Sequence, residues 1–147
     1  MSDEWIQRRL ESYETNLADV HQRKNWQHKA KASYQAKFDA LTERLRLDIE
    51  AYNKIFSAHP QCAATINPFR GGVGIACASK GTSVSVTPTN SGVIQIGWGG
   101  DSTTPPEKSD TLEVTTDDKG EVCYKHGNKL LADVAEASQI ILSPILC

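Results

Sequence analysis

The sequence predicts an α+β fold with a long N-terminal helix, an antiparallel meander of about five strands and a C-terminal helix packed on the sheet. Three observations support this class. The first 57 residues contain neither Gly nor Pro and repeat their apolar residues with helical spacing. After Pro60, apolar residues alternate with polar ones, as they do in strands. The segments between the predicted strands are short, which favours antiparallel hairpins.

The N-terminal helix carries a heptad pattern typical of coiled coils. With Leu10 at position a, the apolar seam consists of Leu17, Phe38, Leu45 and Tyr52 at a, and of Ile6, Tyr13, Val20, Tyr34, Leu41 and Ile55 at d. The centre of this seam is polar, with Lys24 and Lys31 at a and Gln27 at d. In a parallel, in-register dimer these lysines would face their own copies, which lowers stability.

The length of this helix predicts that it needs a partner. A straight helix over residues 2–57 would be about 84 Å long at 1.5 Å per residue. Residues 58–147 would form a domain only about 25–30 Å across. We therefore divide the chain into a helical arm, 1–57, and a small α+β domain, 58–147. The arm either pairs with another chain or folds back as a helical hairpin near residues 22–32. The absence of Gly and Pro there favours a continuous or kinked helix.

The C-terminal end of this helix is predicted to pack on the sheet. Ile49 and Phe56, at position e, widen the apolar stripe, so we expect residues 41–56 to pack on the sheet while the N-terminal half projects. Strands are predicted at 63–66, 73–79, 82–87, 93–98, 111–116 and 121–125. A broad apolar face predicts the C-terminal helix over 128–142, and Pro144 ends it.

Composition limits the classes of function. The chain has 16 Lys and Arg against 18 Asp and Glu, and this net charge of −2 argues against nucleic acid or an anionic membrane as partner. No apolar run approaches the roughly 18 residues that span a bilayer. The N-terminus lacks the apolar segment of a secretory signal, and the four cysteines are widely spaced. We therefore expect a cytoplasmic protein with reduced thiols.

Two residue pairs resemble half-sites for zinc. His59 and Cys62 are three residues apart, as are Cys123 and His126, and four N/S ligands would suit a tetrahedral ion. However, Cys123 lies in a strand pattern, where residues three apart point to opposite faces. The sequence therefore favours buried thiols with surface histidines, and we expect no metal and no cofactor.

Two other features are candidates for ligand binding. The basic residues between 21 and 37, with Trp26 and Tyr34, could contact phosphates while an aromatic ring stacks on a base. A solvated helix face explains the same run of charge. Trp98 stands between two glycines at the predicted lip of the sheet and could anchor a ligand, although a core Trp is favoured.

Nothing in the sequence points to catalysis, because the motifs S-x-x-K, G-x-S-x-G and H-E-x-x-H are absent. The predicted function is non-enzymatic protein–protein interaction or self-association through the N-terminal helix. Its predicted contact residues are Ile6, Leu10, Tyr13, Leu17, Val20, Lys24 and Lys31. One alternative is a small-ligand-binding or catalytic α+β domain with a helical appendage and a pocket near Trp98 and residues 99–110. The other is nucleic-acid binding through residues 21–37. No particular small molecule is indicated.

Overall fold

The computed structural model describes residues 3–69, 71–99 and 107–147, and its architecture is the predicted α+β fold. Helix α1 (Glu4–Ile55) precedes the sheet, and helix α2 (Val134–Leu142) follows it. The strands are β1 (Ala64–Phe69), β2 (Gly72–Cys77), β3 (Thr82–Pro88), β4 (Val93–Gly99), β5 (Lys108–Thr116), β6 (Val122–His126) and β7 (Lys129–Leu130).

The sheet is an antiparallel meander in which each strand pairs with the next one along the chain. It has seven strands: β1 to β6 correspond to the six predicted segments, and β7, only two residues long, was not predicted. Gly120 makes the tight turn between β5 and β6 with a φ of +79°, a conformation that strains residues with a Cβ. The carboxylate of Asp117 accepts backbone hydrogen bonds from Lys119 and Glu121 in the same turn.

Helix α1 is continuous through residues 22–32, so the hairpin alternative is wrong. That segment contains no residue that would break a helix, and its backbone hydrogen bonds are made within the helix. The predicted docking of residues 41–56 is confirmed for Leu41, Leu45 and Ile49, which are buried in the core, whereas Ile55 is 78% exposed at the end of the helix. The docked part also begins earlier than expected, because Trp26 contacts the β5–β6 turn and Ala30 is buried.

The core lies between one face of the sheet and the two helices. Successive residues of a strand point to opposite faces, so alternate positions of β2 to β5 face inward. Those inward residues are almost wholly shielded from water: Ile75, Val84, Val86, Ile94, Ile96 and Leu112. Phe38, Leu45 and Ile49 cover them from α1, and Ile141 covers them from α2. Burying such side chains stabilises the fold by about 1.5–3 kcal/mol each.

Hydrogen bonds fix α1 against the sheet along its docked half. The hydroxyl of Tyr34 donates to the carbonyl of Val93 at 2.8 Å and accepts from the Thr89 N–H at 2.9 Å. Further along, the side-chain amide of Asn53 pairs with both backbone groups of Ala64, at 2.9 Å each. These contacts supply partners for backbone groups at the sheet margin, where unpaired groups are costly.

Helix α2 begins later than residue 128, where the sequence predicted its start. The chain first forms β7, and Asp133 then caps α2 by accepting a hydrogen bond from the Glu136 N–H at 3.0 Å. Buried Ser138 ties α2 to α1 by donating to Asp48 at 2.6 Å. Within the part of the chain described above, neither helix is long and apolar enough to cross a membrane.

Candidate functional site

The N-terminal part of α1 extends beyond the rest of the molecule. Every residue from Asp3 to Asn25 is exposed, and the first contacts with the sheet occur at Trp26 and at Lys29, whose Nζ donates to the carbonyl of Gly120 at 2.9 Å. We call residues 4–25 the overhang. They make about six helical turns, about 33 Å long.

A row of large apolar side chains runs along one side of the overhang. Its members, here called the stripe, are five of the predicted contact residues: Ile6 (49% exposed), Leu10 (49%), Tyr13 (64%), Leu17 (41%) and Val20 (44%). Neighbouring Trp5 is 62% exposed. Scattered exposed apolar residues are normal, but a contiguous row marks an interaction surface. The a/d spacing of the stripe is that of a coiled-coil seam.

The stripe ends where the helix meets the sheet. Lys24, at the next a position after Val20, is the last seam residue of the overhang, and Gln27 and Lys31 follow it on the docked part. Lys24 and Lys31 are exposed. The polar centre of the heptad pattern therefore coincides with the junction between the overhang and the folded body. The stripe lies wholly on the overhang, and the apolar residues after the junction pack on the sheet.

Charges flank the stripe in a regular way. Arg9 occupies position g and Glu14 the following position e, and neither side chain forms an ion pair within the described residues. In a parallel two-stranded coiled coil, a g residue lies beside the e residue of the next heptad in the other helix. Two copies of the overhang would thus place Arg9 of each beside Glu14 of the other.

The basic residues between 21 and 37 do not form one free surface. Lys29 is bound to the β5–β6 turn, as described above. The ammonium of Lys37 lies 5.4 Å from the centre of the Tyr124 ring, a cation–π geometry, and the Tyr124 hydroxyl donates to the carbonyl of Lys37. Arg23, Lys24 and Lys31 remain exposed. The positive charge available to a phosphate backbone is therefore smaller than the sequence suggests.

Trp98 is a core residue and not an exposed anchor. Its side chain is 7% exposed, and its indole N–H donates to the carbonyl of Ile141 at 2.9 Å. A cleft of about 360 Å³ lies beside it, between the β2–β3 turn, β5 and the segment after α2, with Lys80 and Lys108 on its wall. Most of the predicted 99–110 loop lies outside the described residues. A second cleft, of about 460 Å³, lies on the sheet around Ser85, Gln95 and Thr111.

The proposed zinc half-sites are far apart. His59 and Cys62 precede β1 at one edge of the sheet, whereas Cys123 and His126 lie on β6 near the other edge. His126 instead contacts Asp110, with 2.6 Å between Nε2 and Oδ2, and this hydrogen bond lowers the pKa of Asp110. Among the described residues, no three His, Cys, Asp or Glu side chains are grouped so that they could hold a metal ion.

One side-chain cluster was missed by sequence reasoning. Cys62, Cys77 and Cys147 gather at the margin of the sheet, where Sγ of Cys77 lies 3.9 Å from Sγ of Cys147. They come from the 3-10 turn before β1, the end of β2 and the segment after α2, and Cys147 is 70 residues from Cys77. No motif spacing connects these positions, so the pattern of the sequence carries no signal of their proximity.

Comparison with known proteins gave no relative for this architecture: no family model, no curated protein and no solved structure matches the chain.

Proposed function

We propose that this protein is a non-enzymatic self-association module, in which two copies pair through the stripes of their overhangs. The observation that carries the proposal is the projecting overhang, whose five apolar side chains are 41–64% exposed and lie outside the hydrophobic core. A symmetric dimer would bury the same patch on both copies, which is the commonest arrangement in homo-oligomers.

Charge favours a second copy as the partner, arranged in parallel. In that arrangement the Arg9 and Glu14 side chains, unpaired within one chain, would form two ion pairs across the seam. Like charges at Lys24 would meet only at the base of the overhang, next to the folded body. A coiled coil along the whole helix would place the facing lysines at its centre and lose stability there. In a coiled coil of the overhangs alone, Lys24 lies at one end, where the repulsion costs less.

The size of the stripe predicts weak, reversible pairing. Its side chains are roughly half exposed, so completing their burial is worth about 1 kcal/mol each, or about 10 kcal/mol for the ten side chains of two copies. Association costs about 4–15 kcal/mol in lost freedom of motion. The surplus is at most about 6 kcal/mol, and we expect a dissociation constant of tens of micromolar or weaker.

Sedimentation velocity on the full chain, over a concentration series, tests the proposal. The wild type should move from monomer to dimer, and the double variant Leu10→Asp/Leu17→Asp should stay monomeric because it buries charge in the seam. Thr15→Asp/Gln22→Asp is the matched control. It makes the same change in charge at two f positions opposite the stripe, and it should dimerise like the wild type. A wild type that stays monomeric at all concentrations, or equal behaviour of the two double variants, would refute the proposal.

Charge reversal tests the parallel orientation separately. Arg9→Glu should weaken dimerisation by placing like charges beside each other, and Arg9→Glu/Glu14→Arg should recover it. The coupling between the two positions is read from the double-mutant cycle at low and at moderate salt. An antiparallel dimer would show no recovery in the doubly reversed chain.

A further inference from the structure

The segment after α2 is held over the end of β2 by several hydrogen bonds. Lys80 Nζ donates to the carbonyl of Leu146, and the Thr82 hydroxyl donates to the carbonyl of Ile145, each at 2.9 Å. The backbone N–H of Cys147 donates to the hydroxyl of Tyr52 at 3.2 Å. These contacts come from β3, from the turn before it and from α1, and together they set the position of the Cys147 side chain.

The thiols in this place differ in their access to solvent. Cys147 is exposed, whereas Cys77 is fully buried beneath it. The 3.9 Å between their sulfurs is close to van der Waals contact, and a disulfide requires about 2.05 Å. Forming the bond would bring the two sulfurs about 1.9 Å closer together. Ser79 completes the group, with its hydroxyl 3.5 Å from the sulfur of Cys147.

The surroundings also favour the reactive form of Cys147. The neighbouring Cys62 thiol, and after it the Ser79 and Tyr52 hydroxyls, lower the pKa of Cys147 to about 7. The thiolate is the nucleophilic form, so a substantial fraction of Cys147 is reactive near neutral pH. Burial raises the pKa of Tyr52 to about 12, which keeps its hydroxyl protonated beside the sulfur.

We propose that Cys147 and Cys77 form an oxidation-sensitive dithiol, which a hydroperoxide converts to an intramolecular disulfide. The thiolate sulfur of Cys147 attacks one peroxide oxygen, the O–O bond breaks, and the departing hydroxide takes up a proton to become water. Cys147 is then a sulfenic acid. The sulfur of Cys77 attacks that of Cys147, the S–O bond breaks, and the leaving hydroxide takes the thiol proton of Cys77 as water. Two thiols lose two electrons in total, and the peroxide gains them.

Burial dictates the order of these steps. A peroxide in solution reaches exposed Cys147 but not Cys77, so Cys77 reacts only with the oxidised sulfur above it. Cys62 has a different role, because its thiol lowers the pKa of Cys147 and so favours the Cys147 thiolate. Hydrogen bonding to Cys147 raises the pKa of Cys62 in turn, so Cys62 is the poorer attacking thiol.

Peptide mapping of the full chain tests the proposal directly, because trypsin separates the four cysteines. Cys62 falls in peptide 55–70, Cys77 in 71–80, Cys123 in 120–125 and Cys147 in 130–147. After a small excess of hydrogen peroxide and alkylation of the remaining thiols, mass spectrometry should find 71–80 joined to 130–147, with the loss of two hydrogens. A dithiol reductant should separate the pair. Peptide 120–125 should stay alkylated, since burial raises the pKa of Cys123.

Single substitutions test the role of each of the three thiols, Cys62, Cys77 and Cys147. Cys77→Ala and Cys147→Ser should abolish the linked pair, whereas Cys62→Ser keeps a hydrogen-bond donor and should retain it. If Cys77→Ala does not fold, the peptide map of the wild type still tests the proposal, because it identifies the linked cysteines directly. The proposal is overturned if Cys147 links mainly to peptide 55–70, if it accumulates as sulfinic or sulfonic acid, or if no linked pair forms. A linkage between two chains, seen as a dimer on a non-reducing gel, would overturn it as well.

Discussion

Replacing Leu45 by Ala tests whether the second half of α1 is part of the core. Leu45 has no exposed surface and lies between the sheet and the rest of α1, whereas Leu47, two residues on in the same helix, is 45% exposed. Both are leucines, and both changes to Ala leave helix propensity nearly constant. The two variants therefore differ almost only in how much packing is lost, which makes Leu47→Ala the matched control.

The expected magnitude follows from burial. Removing three carbons from a fully buried leucine costs the transfer free energy of those carbons and leaves a cavity, for a total of about 3–4 kcal/mol. Leu47 is surrounded by water on one side, so its truncation should cost about 0.5 kcal/mol or less. In a chain of this size, the Leu45→Ala change should lower Tm by about 10 °C.

Urea unfolding followed by circular dichroism measures both variants. The experiment is best made in the Leu10→Asp/Leu17→Asp chain, because association of the overhangs would otherwise add a concentration-dependent contribution to stability. The slope with urea should stay the same in both variants, since the folded state is the same size. If the free energies of unfolding of the two variants differ by less than about 0.5 kcal/mol, α1 is not docked on the sheet and the reasoning fails.

Three further outcomes follow from single contacts. Trp98→Phe should lower the free energy of unfolding by about 2 kcal/mol, because a carbonyl of α2 loses its buried donor. Gly120→Ala should cost more than Gly81→Ala in the same urea assay. Both glycines have positive φ, but only at Gly120 would the new Cβ come within 2.9 Å of the Trp26 ring. The alkylation rate of Cys147 by iodoacetamide should rise with pH to half its maximum near pH 7, its lowered pKa, and not near pH 9.

The helices and strands were largely predictable because their signals are local. The heptad spacing indicated a helix and the lack of Gly and Pro favoured a continuous one over a hairpin, and alternation such as Val84, Val86, Ile94 and Ile96 indicated the sheet and its buried face. The start of α2 was misplaced because apolar Leu130 and Leu131 suit a helix and a strand equally. Pairing of β7 with β6 decided between these two local structures.

The stripe and its projection beyond the sheet could be predicted from the sequence, but the residue at which the docked part of α1 begins could not. The same heptad pattern runs through Leu17 and Leu45, yet one is exposed and the other fully buried. The difference arises because the folded body covers α1 only from Trp26 onward. How far a helix overhangs depends on where the sheet lies against it, and residue spacing within the helix does not encode that position.

The sequence by itself determined a long helix with a heptad pattern of apolar residues, a meander with one apolar face and a closing helix, because each of these follows from residue periodicity. Only the tertiary structure decided that docking of α1 begins at Trp26, and only it brought Cys77 and Cys147 together across 70 residues of chain. Such distant contacts depend on the path of the whole backbone and on the packing of its elements. Periodicity indicates which face of a helix or strand is buried. It does not indicate which residues from distant parts of the chain pack against that face.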